Sequence, residues 1–95
     1  MAKLRRLVLD VVIPNTVEVV KLTQELADVA TMEGVNSLVN EIDKTVTNLK
    51  INLEGTDISY HSVEKVIRSN GGSIHSIDNV VAGESIVENV ETPQD

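Results

Sequence analysis

Cysteine is absent from this chain of 95 residues, which excludes disulfides, zinc thiolate sites, thiol redox chemistry and a cysteine nucleophile. Phenylalanine and tryptophan are absent too, and Tyr60 is the only aromatic. A core must therefore be built from Val, Ile, Leu and Ala, with no aromatic platform for stacking bases. Basic residues are scarce: 8 against 15 acidic ones give a formal net charge of −7, a balance that repels a phosphate backbone. Nucleic acid is excluded as a partner on these grounds. Apolar runs are short, and none approaches the ~20 residues of a membrane span. The basic start, Lys3, Arg5 and Arg6, leads into a β-branched run interrupted by Asp10 and closed by Pro14. With no small-residue cleavage site, it reads as a strand rather than a targeting signal. A soluble, cytoplasmic protein is expected.

What is present has the size of one core. A chain this short leaves its stability marginal unless disulfides, a metal or association supplement it. Without cysteine, association and an oxygen-ligand metal remain.

Residues Leu4 to Ile13 are aliphatic and β-branched and stop at Pro14, as a strand does. Asn15 followed by Glu18 matches a capping box, and Val17, Val20, Leu22, Leu26, Ala27, Val29 and Ala30 recur at helical spacing, which predicts a helix from about Thr16 to Ala30. Val35 to Asp43 and Val46 to Glu54 read as two strands joined through Lys44 and Thr45. Asp57 or Ser59 can cap a second helix carrying Val63, Val66 and Ile67, with Gly71 and Gly72 as its left-handed stop. A fourth strand follows from Ser73 to about Ala82. The order strand, helix, strand, strand, helix, strand is that of an α+β, ferredoxin-like βαββαβ sandwich. In it a four-stranded antiparallel sheet of order 4-1-3-2 carries two helices on one face and leaves the other bare. The domain spans residues 1–83, and residues 84–95 form an acidic C-terminal extension whose last residues are expected to be mobile.

The run Gly71-Gly72-Ser73-Ile74-His75-Ser76-Ile77-Asp78, continuing to Val80-Val81-Ala82-Gly83, resembles the closing signature of an archaeal family, domain of unknown function 211. Leu9-Asp10-Val11 with Pro14, Val39-Asn40-Glu41-Ile42-Asp43, and Lys50-Ile51 through Gly55 are similar to it as well, so the resemblance covers Leu7 to Gly83. It implies a ferredoxin-like fold and an oligomer, and it implies no activity.

Alternation assigns the faces. Leu7, Leu9, Val11, Ile51 and Leu53, with Val20, Val66 and Ile67 from the helices, are the expected core, and Arg6, Val8, Asp10, Val12, Asn48, Lys50, Asn52 and Glu54 face away. Setting Leu9 opposite Ile51 brings Asp10 opposite Lys50 and Arg6 opposite Glu54, two opposite-charge pairs from one register. The same rule turns Val35, Ser37, Val39, Glu41 and Asp43 outward and Leu38 and Ile42 inward. The bare face then carries four valines, Val8, Val12, Val35 and Val39, a surface suited to a second copy of the chain. Alternatively the C-terminal segment with Ile86, Val87 and Val90 folds over its own sheet.

Asp10, Glu41, Asp43 and Asp78 are the candidate metal ligands. Calcium is the candidate cation, since it takes 6 to 8 oxygens. Their ordinary reading is as solvated or cross-strand charges. His75 with Asp78, and His61 on the second helix, are the candidates for acid–base chemistry, although a regular strand places His75 and Asp78 on opposite faces. The spacing of Ile74 and Ile77 hints at a bulge there. His75 is expected half-buried and His61 solvent-facing. No phosphate loop, nucleophile elbow or Ser-Lys pair is present. The leading reading is a non-enzymatic, oligomeric binding or regulatory domain for a hard cation or small metabolite. The alternatives are an enzyme whose site is completed at a subunit interface, and a purely structural assembly.

Overall fold

The computed structural model describes residues 1–89. Its elements run β1 (Leu4–Pro14), α1 (Val19–Ala27), β2 (Met32–Ile42), β3 (Val46–Gly55), α2 (Tyr60–Ser69) and β4 (Ser73–Ala82). Every strand pair is antiparallel, and the sheet order is β2-β3-β1-β4, the ferredoxin-like arrangement. Val90, expected in a subunit contact or over the sheet, and the last residues, expected to be mobile, lie outside the described residues. Among the described residues, no helix is long and apolar enough to cross a membrane.

The two central strands obey alternation. In β1 Leu7, Leu9, Val11 and Ile13 are buried, and in β3 Thr47, Leu49, Ile51 and Leu53 are, so these residues line one face. Leu9 lies opposite Ile51, Asp10 opposite Lys50 and Arg6 opposite Glu54, the register expected from the charge pairs. Helix α1 adds Leu22 and Leu26 to this face and α2 adds Val63 and Ile67. Each pair is spaced i, i+4, one turn apart on one side of its helix. Together with Ile58 they close an aliphatic core against which Val66 and Tyr60 pack. Val20 is the exception to the expected core. It is 69% exposed, because two residues before Leu22 it falls on the outer side of α1.

Helix α1 also starts later than the capping pattern implies, with Glu18 at its N-cap and no side-chain cap. Asn15 is engaged elsewhere. Its Nδ2 donates to the Asp43 carbonyl at 2.7 Å and its Oδ1 accepts from Thr47 Oγ1 at 2.7 Å. Helix α2 follows expectation: Ser59 Oγ accepts from the Ser62 N–H at 3.1 Å, and Gly71 ends the helix region at φ +80°, a conformation that glycine adopts without strain.

Edge strand β2 departs from its expected phase. Val35, Ser37 and Val39 lie opposite Leu53, Ile51 and Leu49, while Asn36 and Leu38 lie opposite Asn52 and Lys50. Directly opposed residues share a face, so Val35, Ser37 and Val39 look toward the helices and Leu38 looks away. Ser37 confirms this by a 2.7 Å hydrogen bond with Thr23 of α1. The cause is a bulge at Asn40: the register passes from Val39 opposite Leu49 to Glu41 opposite Asn48, leaving Asn40 unpaired. Counting back by twos from Glu41 therefore inverts everything before Asn40.

Candidate functional site

The face of the sheet without helices carries the polar side chains. One row across it runs Leu38, Lys50, Asp10, Ser76, and the next runs Asn36, Asn52, Val8, Asn79. Strand β4 contributes through two bulges. Against β1 its register passes from Asn79 to Ile77 and from Ser76 to Ile74 in single steps of β1, so Asp78 and His75 are the extra residues. The bulge frees Asp78 from strict alternation. It reaches over the face to form an ion pair with Lys50, and Ser76 Oγ donates to its other oxygen at 2.7 Å.

The electrostatics follow from these contacts. The Lys50 ammonium is held above its ordinary pKa, first by the hydrogen bond to Asp78 and then by the charges of Asp78 and Asp10. Asp78 is held below the usual carboxylate range, first by Lys50 and next by Ser76. Asp10 Oδ1 is buried without a hydrogen-bond partner among the described residues, so nearby Lys50 balances its charge through the field.

One row further on, Arg6 holds two carboxylates. Its Nε and Nη2 donate to Glu54 Oε1 at 2.8 and 2.5 Å, and its Nη1 and Nη2 donate to the two oxygens of Glu88 at 3.0 Å each. This lowers the Glu88 pKa, first through the hydrogen bonds from Arg6 and then through its charge. Glu88 belongs to the segment after β4. Gly83, at φ +126°, turns that segment back, and Asn79 Nδ2 donates to Asn89 Oδ1 at 3.2 Å. Glu88 and Asn89 thus lie against their own sheet, but through polar contacts: Val87, expected to cover the sheet, is exposed, and Val90 lies outside the described residues. Between these groups lies an open groove of about 680 Å³, lined by Arg6, Val8, Asn36, Asn52, Glu54, Asp78, Asn79 and Asn89 among others.

The four candidate metal ligands separate into two pairs. Asp10 and Asp78 flank Lys50 in the middle of the sheet. Glu41 and Asp43 line a recess of about 160 Å³ at the hairpin end. Asp43 has a structural task there. Its Oδ1 accepts from the N–H groups of Thr45 and Val46 at 3.0 Å each, which forms the β2-β3 turn and lowers its pKa. Among the described residues, no three His, Asp or Glu side chains gather where one ion could be held. His75 is exposed rather than half-buried, and His61 is exposed on α2 as expected. Neither lines the groove. The asparagines and Glu88 were missed from sequence. The phase assigned to β2 turned Val35 and Ser37 outward and so hid Asn36 between them, and Glu88 is 82 residues from Arg6, beyond any strand-pairing rule.

A four-stranded antiparallel sheet with both helices on one side defines a ferredoxin-like α+β domain. Within that class the chain belongs to the family of domain of unknown function 211, described as "Uncharacterized ArCR", which it matches over residues 5–95. It is similar to an uncharacterised protein of Methanocaldococcus jannaschii, with 42% identity over 92 residues, 97% of this chain and 95% of the relative.

Proposed function

We propose that this chain is a non-enzymatic binding domain whose ligand is a small polar metabolite held in the groove on the uncovered sheet face. The observation that carries this reading is the lining of asparagine side chains from β2, β3, β4 and the C-terminal segment around one 680 Å³ groove. Each amide both donates and accepts, so four of them suit a ligand bearing hydroxyl, carbonyl or amide groups. The lining serves holding better than reaction: it has no histidine, and its arginine is engaged by two carboxylates. Thermal denaturation with a panel of polar metabolites tests the reading, because a ligand at 100 times its Kd stabilises the folded state by about 2.7 kcal/mol. A shift that disappears in Asn52→Leu is expected. A shift that persists in both Asn52→Leu and Asn79→Leu overturns the assignment of the site.

A second reading concerns self-association. Leu38, Val39 and Ile42 on edge strand β2 and Ile77 and Val80 on edge strand β4 are exposed apolar side chains, set beside backbone groups that a sheet edge leaves unpaired. A second copy of the chain adding at these edges accounts for them better than one meeting the valine face, since Val8 and Val12 are already half-buried. Sedimentation decides between the two surfaces. Dissociation by Ile77→Lys with Val80→Lys, but not by Val8→Lys with Val12→Lys, is expected, and the reverse overturns the edge reading. A calcium ion fits this assembly only if two copies combine carboxylates, since calcium takes 6 to 8 oxygens. Calorimetric heat lost in Glu41→Gln is expected of such a shared site, and heat unchanged in both Glu41→Gln and Asp43→Asn removes these residues from it.

A further inference from the structure

The groove at Arg6 already has an occupant, and the occupant belongs to the chain itself. Arg6 makes two kinds of carboxylate contact. Glu54, its cross-strand neighbour on β3, approaches with a single oxygen. Glu88 presents both oxygens, one to Nη1 and one to Nη2, at 3.0 Å each. That is the two-pronged geometry in which a guanidinium holds a free carboxylate. The next residue, Asn89, offers a carbonyl oxygen to Asn79 Nδ2. Glu88 and Asn89 therefore place a carboxylate and a neutral acceptor side by side in the groove.

The segment bearing them is lightly held. Its base is fixed by the Gly83 N–H donating to the Lys3 carbonyl at 2.8 Å and by Arg5 Nη1 donating to the Glu84 carbonyl at 2.6 Å. Beyond Glu84, among the described residues, it makes no backbone hydrogen bond to the sheet and is held by side chains. The Glu88 side chain is 73% exposed, and a single exposed ion pair is weak.

We propose that Glu88 is a built-in competitor for the groove, and that the ligand it yields to is a small carboxylic acid carrying a hydrogen-bonding group beside its carboxylate. The proposal rests on the groove reading and narrows its ligand class. An incoming carboxylate takes the place of the Glu88 carboxylate on Arg6, so the charge set against the guanidinium is unchanged by exchange, which suits a chain whose net charge of −7 otherwise disfavours anions. Occupancy of the groove by such an acid then releases Glu88 and Asn89 from the sheet and leaves the amides of Asn36, Asn52 and Asn79 to hold the ligand.

The test uses the full chain and succinate as the probe, with succinamide as its uncharged counterpart and chloride to match ionic strength. Nuclear magnetic resonance follows the Arg6 Nε–Hε group and the Asn89 side-chain amide during titration. Glu88→Gln is expected to bind succinate about fivefold more tightly than the unmodified chain, the scale of an exposed ion pair, and succinamide to distinguish the two proteins little. In the unmodified chain the Asn89 amide should move toward its solvent-exposed shift as succinate binds. Glu88→Ala should behave as Glu88→Gln does, and Arg6→Gln should lose the response. Equal succinate affinity in the unmodified chain and both Glu88 variants, or a response that persists in Arg6→Gln, overturns the proposal. No succinate response in any of them overturns it as well, while the thermal shifts with neutral metabolites and Asn52→Leu decide the groove reading separately.

Discussion

Ile51→Ala and Val20→Ala probe the same core from opposite sides and should behave oppositely. Ile51 sits on a central strand, is fully buried, and belongs to a cluster built only of Leu, Ile and Val. Truncation removes three carbons, worth about 2.4 kcal/mol at roughly 0.8 kcal/mol each. The neighbours are held by strand pairing on both flanks, so collapse into the void is limited, and the cavity raises the total to about 4 kcal/mol. Against a stability of about 5 to 15 kcal/mol for a domain of this size, that is a large share. Val20 is 69% exposed. Its truncation loses little buried area, and alanine is the better helix former by roughly half a kcal/mol, so the change should lie within about 0.5 kcal/mol of zero. Urea titration of both variants, with unchanged slopes, measures the pair. A loss below about 1 kcal/mol for Ile51→Ala, or above about 1 kcal/mol for Val20→Ala, would show that the faces are wrongly assigned.

Stability should fall as the solution is acidified. Asp43, Asp78 and Glu88 all have folded pKa values below their ordinary ones. Their contribution is complete above the unfolded carboxylate pKa of about 4 and is lost as pH falls through the folded values. Urea midpoints that stay flat from neutral pH to pH ~3 contradict this. Lys50 gives the opposite sign, its contribution being complete below the unfolded lysine pKa and lost as pH rises through the raised folded value. Lys50→Met should destabilise more than Asp78→Asn, because it also removes the charge that balances buried Asp10 Oδ1; equal losses by thermal melting would show that Asp10 does not depend on Lys50. Gly55→Ala should cost about 1 to 3 kcal/mol, since its Cβ would stand 2.6 Å from the Thr31 carbonyl oxygen, and an unchanged urea midpoint would contradict that close approach.

The central strands were legible in the sequence because two independent signals agreed there. Aliphatic alternation in β1 and β3 set the faces, and the pairs Arg6 with Glu54 and Asp10 with Lys50 set the register. Such agreement across levels is what makes a pattern specify one structure. Asn15 shows how a local rule loses to a distant partner: its spacing from Glu18 is that of a capping box, but the β2-β3 turn claims its side chain. Strand β2 fails for a different reason. As an edge strand it has neighbours on one side only, so adjacent Leu38 and Val39 can both be exposed and the alternation carries no phase. The bulge at Asn40 then leaves Glu41 and Ile42 correctly assigned while inverting the residues before it.

The bulges also explain why the candidate site was only half visible. In an unbroken β4, Asp78 and Ser76 would share a face with the residues two positions along, and His75 would alternate with them. Two extra residues within one strand, His75 and Asp78, remove them from the pairing ladder and let both Ile74 and Ile77 sit opposite core-facing residues of β1. Sequence spacing betrays the bulge through those two isoleucines but cannot say which residue it frees. The structure answers with Asp78, which takes Lys50 from its cross-strand partner Asp10. Arg6, one row away, is drawn in the same manner from Glu54 toward a second carboxylate, Glu88. On the uncovered face each cation is thus shared between the strand that positions it and a less regular segment. A face built this way can change its outer partner without disturbing the core register, the property required of a groove whose contents are exchangeable.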